Sequence, residues 1–192
     1  MISLRTVDDI GIFLKKIDAV LLPDQILTAL ESIDLNDLPE TIKKARKIKD
    51  KAFSITAGIV SNQKIKASEV INSVSKYIQR KYKWNYTELD HSNFDLRVFI
   101  DHRTCYLSVR LTKDSMHHRQ YKVTSRIGSL KSTVAAAMVL LATNGKGSKR
   151  IVDNFCGSGT ILCEALGLGN AVFGGDVEPE SVMMTKINLY PC

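Results

Sequence analysis

The chain has 192 residues, of which 44% are hydrophobic and 24% charged, and its formal net charge is +7 at pH 7. These values are typical of a globular protein with one domain or two small ones. The longest apolar run, Val134 to Ala142, is far shorter than a membrane span, and the N-terminus lacks the apolar core of a signal peptide. We therefore expect no membrane association and a cytoplasmic location.

The positive charge is concentrated in the middle of the chain. Residues 40–131 hold 20 Lys and Arg against 8 Asp and Glu, whereas the segments on either side are each net negative. Such a block is typical of a nucleic-acid-binding surface, although a solvated basic surface without a partner has the same composition. The four cysteines form no Cys-x-x-Cys pair and no zinc spacing, so we expect reduced thiols and no metal site.

Residues 4–31 read as helical. Apolar side chains at Val7, Ile10, Phe13 and Ile17 have the spacing of a helix within residues 4–31. Asp24 is a candidate cap for a second short helix over residues 25–33, and the basic segment 42–51 is either a helix or a charged linker.

Residues 52–112 predict a small α+β unit. Residues 53–57 read as a strand, Ser68 begins an amphipathic helix, and residues 96–100 and 105–111 read as two further strands. The turn Asp101-His102-Arg103 would join those two strands into a hairpin.

Residues 113–192 predict an irregular segment followed by an α/β pattern. A helix capped by Ser129 or Ser132 is apolar on nearly every side from Val134 to Ala142, which indicates a buried helix. After it come a strand at 150–154, a glycine turn at 155–159, a helix at 160–166, a strand at 171–176 and a helix from Pro179. A strand–helix–strand crossover requires parallel strands, so the predicted fold class is α/β.

The glycine turn is the candidate ligand site. Asp153 and Asp176 end the two predicted strands, and ligands of open α/β sheets bind at the carboxyl ends of strands. Gly157 and Gly159 let a ligand approach the backbone, and an acid 23 residues after Asp153 suits the ribose hydroxyls of an adenosine. The spacing of a phosphate-binding loop is absent, as is the third glycine of a dinucleotide loop. Because a carboxylate at Asp153 would repel a pyrophosphate, we predict S-adenosylmethionine, with a purely structural turn as the alternative.

Several segments resemble one protein family. Residues 153–161, Asp-Asn-Phe-Cys-Gly-Ser-Gly-Thr-Ile, resemble motif I of the RNA-methylase branch of class I methyltransferases, with Asn154 in place of the usual proline. Residues 175–179 resemble the second motif of that family, and residues 116–122 and 129–137 resemble its segments before the catalytic domain. Residues 53–111 are loosely similar to a THUMP domain. The chain thus resembles the THUMP-containing, S-adenosylmethionine-dependent RNA methyltransferases.

The resemblance implies three parts: a helical remainder of a ferredoxin-like unit at 1–44, a THUMP-like RNA-binding domain at 45–112, and at 113–192 a linker, a helix and the start of a Rossmann-like domain. It implies methyl transfer to a guanosine exocyclic amine, with tRNA favoured over rRNA as the partner. The implied cofactor-binding residues are Asp153, Phe155, Cys156, Gly157, Ser158, Gly159, Asp176, Val177 and Glu178. The implied RNA-binding residues are Lys43, Lys44, Arg46, Lys47, His118, Arg119, Tyr121, Lys122 and Lys131.

One motif of that family is missing. Its catalytic Asn/Asp-Pro-Pro-Tyr/Phe segment has no counterpart, because the prolines stand only at positions 23, 39, 179 and 191. We therefore assign no catalytic residue and expect a truncated chain that binds cofactor weakly and transfers methyl groups poorly. The alternative is a non-catalytic RNA-binding module. A nicotinamide oxidoreductase and a thiouridine synthase fit the motifs less well. A DNA methyltransferase fits the glycine-turn motif equally, and only the THUMP-like half favours RNA over DNA.

Overall fold

The computed structural model describes residues 4–61 and 64–192, and these residues form two compact units. One unit is Asp9–Lys113, and the other is Asp114–Cys192 together with the N-terminal segment up to Asp8. No helix in the described ranges is long and apolar enough to cross a membrane.

The unit of residues 9–113 is a five-stranded mixed sheet with three helices. Its strands are β1 (Gly11–Ile17), β2 (Ala52–Val60), β3 (Asn85–Tyr86), β4 (Phe94–Asp101) and β5 (Thr104–Arg110), and its helices are α1 (Pro23–Glu31), α2 (Leu38–Ala45) and α3 (Ala67–Tyr82). The strand order is β1-β5-β4-β2-β3. Strand β2 runs parallel to β3 and β4, whereas β5 is antiparallel to β4 and β1. The predicted α+β unit is therefore present, with its hairpin turn at Asp101–Arg103.

The core of this unit lies between the helices and one face of the sheet. Helix α3 turns Val70, Val74 and Ile78 inward, at the spacing that made it predictable. The rings of Trp84 and Phe94 stack at a centroid distance of 5.2 Å within the same cluster.

The helix predicted through residues 7–17 is wrong, because β1 occupies residues 11–17 and pairs with β5. A register irregularity between Phe13 and Lys15 breaks the strict alternation of a strand, so the apolar residues mimic helical spacing. The predicted helical unit over 1–44 is also corrected, since β1 shares a sheet with residues 52–110. The second short helix is present as α1, but Asp24 lies in its first turn and Leu22 is the N-cap residue, so the predicted cap is wrong. The basic segment contains the end of α2.

The other unit contains α4 (Ser132–Thr143), β6 (Arg150–Asp153), α5 (Thr160–Leu166), β7 (Ala171–Gly174) and α6 (Pro179–Leu189). Strands β6 and β7 are parallel, with Arg150 opposite Ala171 and Asp153 opposite Gly174, which confirms the predicted crossover. Helix α5 contacts both strands and the helices α4 and α6. The fold class is thus mixed α/β with parallel strands, as predicted.

Helix α4 departs from the prediction on one side. Ala135, Ala136 and Val139 are buried, but Val134, Met138 and Leu141 are 46%, 47% and 80% exposed. The exposed three are spaced four and three residues apart and so share one helical face. Uniform hydrophobicity predicted burial all round, whereas in the described residues α4 buries only its opposite face.

The N-terminal segment is fixed to its unit by Asp8. The Asp8 carbonyl accepts hydrogen bonds from the Met116 amide (2.6 Å) and the Ser115 hydroxyl (3.1 Å). Its carboxylate accepts from Lys131 Nζ and from Thr133 Oγ1 at 2.9 Å. These bonds, that of Lys131 first, hold the pKa of Asp8 below its usual value of 3.8.

Candidate cofactor site and basic cleft

The carboxyl ends of β6 and β7 are joined by two backbone hydrogen bonds. The Gly175 amide donates to the Asp153 carbonyl, and the Cys156 amide donates to the Gly175 carbonyl, each at 2.9 Å. Because the strands are parallel, this pairing places the turn at 154–159 beside residues 175–178. The two motifs predicted from the sequence therefore meet at one edge of the sheet.

Two glycines shape the turn for different reasons. Gly157 and Gly159 have φ angles of 54° and 79°, in the left-handed region that favours glycine. A Cβ at Gly159 would lie 2.9 Å from the Cγ2 and Oγ1 atoms of Thr185 on α6, so packing requires glycine there. A Cβ at Gly157 would meet no atom within 4 Å, so the space in front of this residue is open to a ligand.

Asp176 binds the turn through its carboxylate. Its Oδ2 accepts a hydrogen bond from the Gly157 amide at 2.8 Å, and its Oδ1 accepts one from the Glu178 amide at 3.0 Å. The Glu178 amide and then the Gly157 amide lower the pKa of Asp176 from its usual 3.8. Since a carboxylate has about four acceptor positions, two remain for hydroxyl donors of a ligand.

A cleft of about 350 Å³ opens in front of the turn. Five of the predicted cofactor-binding residues line it, namely Asp153, Phe155, Cys156, Gly157 and Ser158. The other four predicted residues do not line the cleft. Gly159 packs beneath the turn, and Asp176, Val177 and Glu178 lie beside the turn. Phe155 and Val177 are 86% and 87% exposed, so each presents apolar surface beside the turn.

Residues 126–130 form the opposite wall of this cleft, and the sequence interpretation missed them. The Ser129 hydroxyl accepts a hydrogen bond from the Arg126 amide and lies 3.0 Å from the Ser158 hydroxyl. Ser129 thus ties this wall to the glycine turn rather than capping α4. In the sequence, Gly128 could have predicted a tight turn at this position, and in the structure its φ angle is 83°.

A second cleft, of about 380 Å³, lies on the other side of Ser129 and Leu130. It brings together four of the predicted RNA-binding residues: His118, Arg119, Lys122 and Lys131. Lys122 donates to the Leu130 carbonyl at 3.1 Å, and burial lowers the pKa of its ammonium group. This basic cleft therefore shares a wall with the cleft at the glycine turn.

Tyr121, one of the implied RNA-binding residues, does not present its ring at the surface, because its side chain is buried. Tyr121 is 8% exposed, and its hydroxyl donates to Glu164 Oε1 at 2.7 Å. Glu164 is itself fully buried on α5, where its carboxylate pairs with Arg119 at 2.9 Å and with Arg5 at 2.7 Å. Arg119 also donates to the Met116 and Arg5 carbonyls, so its guanidinium is held within the protein rather than presented to RNA.

The sequence interpretation did not single out Glu164. In the sequence, Glu164 is an acidic residue within the otherwise apolar helix at residues 160–166. An acid in a buried position requires a cationic partner, so this residue could have been noticed.

The remaining predicted RNA-binding residues lie at α2 in the other unit. Lys43, Lys44 and Lys47 are exposed, and Lys43 forms a surface ion pair with Glu40 at 2.6 Å. Arg46 is half-buried and donates to the Asn93 carbonyl at 2.7 Å. Residues 4–61 and 64–192 contain no group of three His, Cys, Asp or Glu side chains arranged to hold a metal ion.

Known families match both units. Residues 33–110 match the THUMP domain family, and residues 119–187 match the RMKL-like methyltransferase domain family. The chain is 36% identical over 81 residues to the ribosomal RNA large subunit methyltransferase K/L of Syntrophotalea carbinolica, covering 41% of this chain and 11% of that protein.

Solved structures share the fold. TrmN from Thermus thermophilus has a TM-score of 0.66 at 21% identity, over 96% of this chain and 53% of TrmN. A predicted N6-adenine-specific DNA methylase from Listeria monocytogenes scores 0.69 at 20% identity, over 96% and 58%. SMU.472, a putative methyltransferase complexed with SAH, scores 0.68 at 16% identity, again over 96% and 58%. The chain thus spans little more than half of these structures and about a tenth of the curated relative.

The chain is thus similar to a THUMP domain in one unit and to a methyltransferase domain in the other, and neither match alone covers half of the chain. This result confirms the resemblance to the THUMP-containing RNA methyltransferases, and it supports S-adenosylmethionine as the cofactor.

Proposed function

From a chain similar to a THUMP domain in one unit and to a methyltransferase domain in the other, we propose that it forms the RNA-binding and cofactor-binding part of an RNA methyltransferase. The proposed reaction is transfer of a methyl group from S-adenosylmethionine to a guanosine exocyclic amine, with tRNA as the substrate. The observation that carries the proposal is the glycine turn, whose open face and paired carboxylate suit an adenosine ligand.

The residues of the turn fit S-adenosylmethionine in three respects. Gly157 leaves its space open, Asp176 retains acceptor capacity for ribose hydroxyls, and Asp153 places a carboxylate in the cleft. When bound, the cofactor supplies an electrophilic methyl group on a sulfonium. The Asp153 carboxylate attracts that positive charge, and the exposed side chains of Phe155 and Val177 offer apolar surface to the adenine.

Cofactor binding is tested by calorimetry with S-adenosylmethionine and S-adenosylhomocysteine. Asp176→Ala should weaken binding at least about tenfold, because it removes both the ribose acceptor and the bond to the Gly157 amide. The matched control is Glu31→Ala, which removes an exposed acid from the other unit. RNA binding by Asp176→Ala, measured on filters, should equal that of the wild type. Equal loss of cofactor and RNA binding would contradict the assignment.

RNA binding is proposed to depend on phosphate contacts from the exposed lysines 43, 44 and 47 and from Lys122 and Lys131 in the basic cleft, where Arg119 is already paired with Glu164. The logarithm of the binding constant should therefore fall steeply with the logarithm of the salt concentration. Replacing Lys43, Lys44 and Lys47 together by alanine should reduce that slope by about 0.7 for each phosphate of single-stranded RNA that the variant no longer neutralises. Replacing Lys146, Lys149 and Lys186, which lie outside the predicted surface, is the control for the change in net charge. A salt-independent affinity would contradict the proposal.

A non-catalytic RNA-binding role is the second candidate, because the sequence lacks the Asn/Asp-Pro-Pro-Tyr/Phe segment. We propose that this chain alone binds RNA and cofactor without appreciable methyl transfer. Radiolabelled S-adenosylmethionine should give no more product than the boiled chain, with either tRNA or ribosomal RNA. Incorporation at ordinary enzyme rates would refute this. RNA binding without any cofactor binding would instead favour the non-catalytic module.

A further inference from the structure

The sheet of residues 9–113 has one face turned away from its helices. Along β4, Phe94, Leu96 and Val98 are buried in the core, so the alternate residues of this strand lie on the opposite face. That open face carries three exposed aromatic side chains, Phe13, Phe99 and Tyr106, which are 63%, 45% and 39% exposed. Neither the positive charge of residues 40–131 nor the sequence motifs predicted this exposed aromatic surface.

The three aromatic residues lie on three adjacent strands of the sheet, β1, β5 and β4. Phe99 and Tyr106 are directly opposite in the β4–β5 ladder, and their ring centroids are 6.4 Å apart. Phe13 on β1 is opposite Ser108, which makes it the diagonal neighbour of Tyr106. With strands about 4.8 Å apart, a band from β1 to β2 is about 14 Å wide.

Gly58 determines how the Phe99 ring lies. Gly58 is opposite Phe99 on β2, and a Cβ built there would be only 3.2 Å from the ring atom Cδ2. The ring edge therefore lies against the glycine, while the Phe99 side chain as a whole is 45% exposed. A side chain at position 58 would displace the ring from this position.

We propose that this aromatic band, Phe13, Tyr106 and Phe99 above Gly58, is a stacking platform for two or three unpaired RNA bases. Exposed aromatic rings on an open sheet recognise single-stranded RNA by stacking, because each base has an accessible π-face when it is unpaired. The inference rests on the proposed RNA-binding function and assigns part of it to a surface outside both clefts.

Charge favours RNA over another copy of the chain. Lys16 is opposite Tyr106 in the β1–β5 ladder and is the cation available beside the rings, since Arg97, two residues before Phe99 on the same face, already pairs with Asp9 and Asp95 at 3.0 Å each. Lys16 forms only a half-exposed ion pair with Asp18, and such pairs contribute little, so a phosphate can take the place of Asp18. Two copies of a chain with net charge +7 repel each other, whereas a phosphate backbone is attracted.

The test measures fluorescence anisotropy of the full chain with a labelled single-stranded RNA and with a duplex of the same sequence. Phe99→Ala and Tyr106→Ala should each weaken single-strand binding about five- to a hundredfold and leave duplex binding unchanged. Tyr106→Phe should retain the wild-type affinity, since it keeps the ring. Leu22→Ala, which removes a 61% exposed apolar side chain near α1, is the control.

Gly58→Ala is a second, independent test, because it disturbs the Phe99 ring without removing it. It should weaken single-strand binding in the same direction, with circular dichroism confirming that the variant is folded. If the wild type binds RNA in a salt-dependent manner but the variants bind equally well, the platform is refuted and the proposed function stands. If the wild type binds no RNA, both fail. Loss of self-association in the variants, with RNA binding unchanged, would identify a protein interface and also overturn the platform.

Discussion

Replacing Glu164 should destabilise its unit far more than replacing a surface acid. The Glu164 carboxylate is fully buried and accepts hydrogen bonds from Arg5, Arg119 and Tyr121. In Glu164→Ala these donors lose their acceptor, and the two guanidinium groups lose their counter-charge. Removing one partner of a buried ion pair costs about 3–5 kcal/mol. Because Arg5 and Arg119 are 20% and 14% exposed, water can solvate them in part, and we expect a loss of about 2–4 kcal/mol.

The matched control is Glu40→Ala, which breaks the exposed ion pair with Lys43. An exposed pair of this kind is worth at most about 1 kcal/mol. Glu164→Gln distinguishes the effect of the lost charge from that of the lost side-chain volume. The glutamine keeps the shape of the side chain and one acceptor oxygen, but its amide N–H groups face a guanidinium. Its loss should lie between those of the other two variants.

The assay is urea unfolding followed by far-ultraviolet circular dichroism, combined with hydrogen exchange of peptides from residues 119–122 and 160–166. Hydrogen exchange locates the loss, since each peptide reports the local opening free energy. Glu164→Ala should lower protection in both peptides. A loss below about 1 kcal/mol, no greater than that of Glu40→Ala, would refute the reasoning that the buried carboxylate holds these segments together.

Three other measurements test the turn and the thiols. Gly159→Ala should unfold the turn and abolish cofactor binding, because the added Cβ would meet Thr185. Gly157→Ala has open space for its Cβ and should cost only about 1 kcal/mol of backbone strain. Equal effects of the two variants in thermal melts would contradict this. A carboxyl titration of Asp176 by NMR should give a midpoint below 3.8. Because the pKa of Asp176 is depressed, the stability that its charge contributes is fully present above pH 3.8 and is lost as the pH falls through the lower folded pKa. A midpoint above 3.8 would contradict the hydrogen bonds to the turn. Burial raises the pKa of Cys105 to about 12, so a thiol reagent at pH 8 should modify exposed Cys192 first, and Cys192→Ser should remove that fast phase.

The parts of the fold predicted from the sequence are those fixed by neighbours in the chain. The β4–β5 hairpin and α3 have local periodicity, and a short turn or a cap marks their ends. Strand β1 was not predictable in this way, because its identity depends on pairing with β5, about ninety residues further along the chain.

The same distinction holds at the candidate site. The turn could be predicted because Asp153, Gly157 and Gly159 are close in sequence and Asp176 follows at a characteristic separation. The Glu164 cluster could not, since Glu164 is separated from Arg5 by 159 positions and from Arg119 by 45. A sequence pattern shows that Arg119 is cationic, but only the packed structure shows that its charge is already satisfied.

The unit of residues 9–113 begins and ends at neighbouring points of the chain path. The Leu111 amide donates to the Ile10 carbonyl at 2.7 Å, and a few residues outward the Met116 amide donates to the Asp8 carbonyl. The two ends of the segment 9–113 are therefore close together, and this segment is an insertion in the sequence of the other unit. Joining residue 8 to residue 114 through a few glycines would close only a short loop, at a small entropic cost. A chain shortened in this way should keep the other unit together with its N-terminal segment up to Asp8.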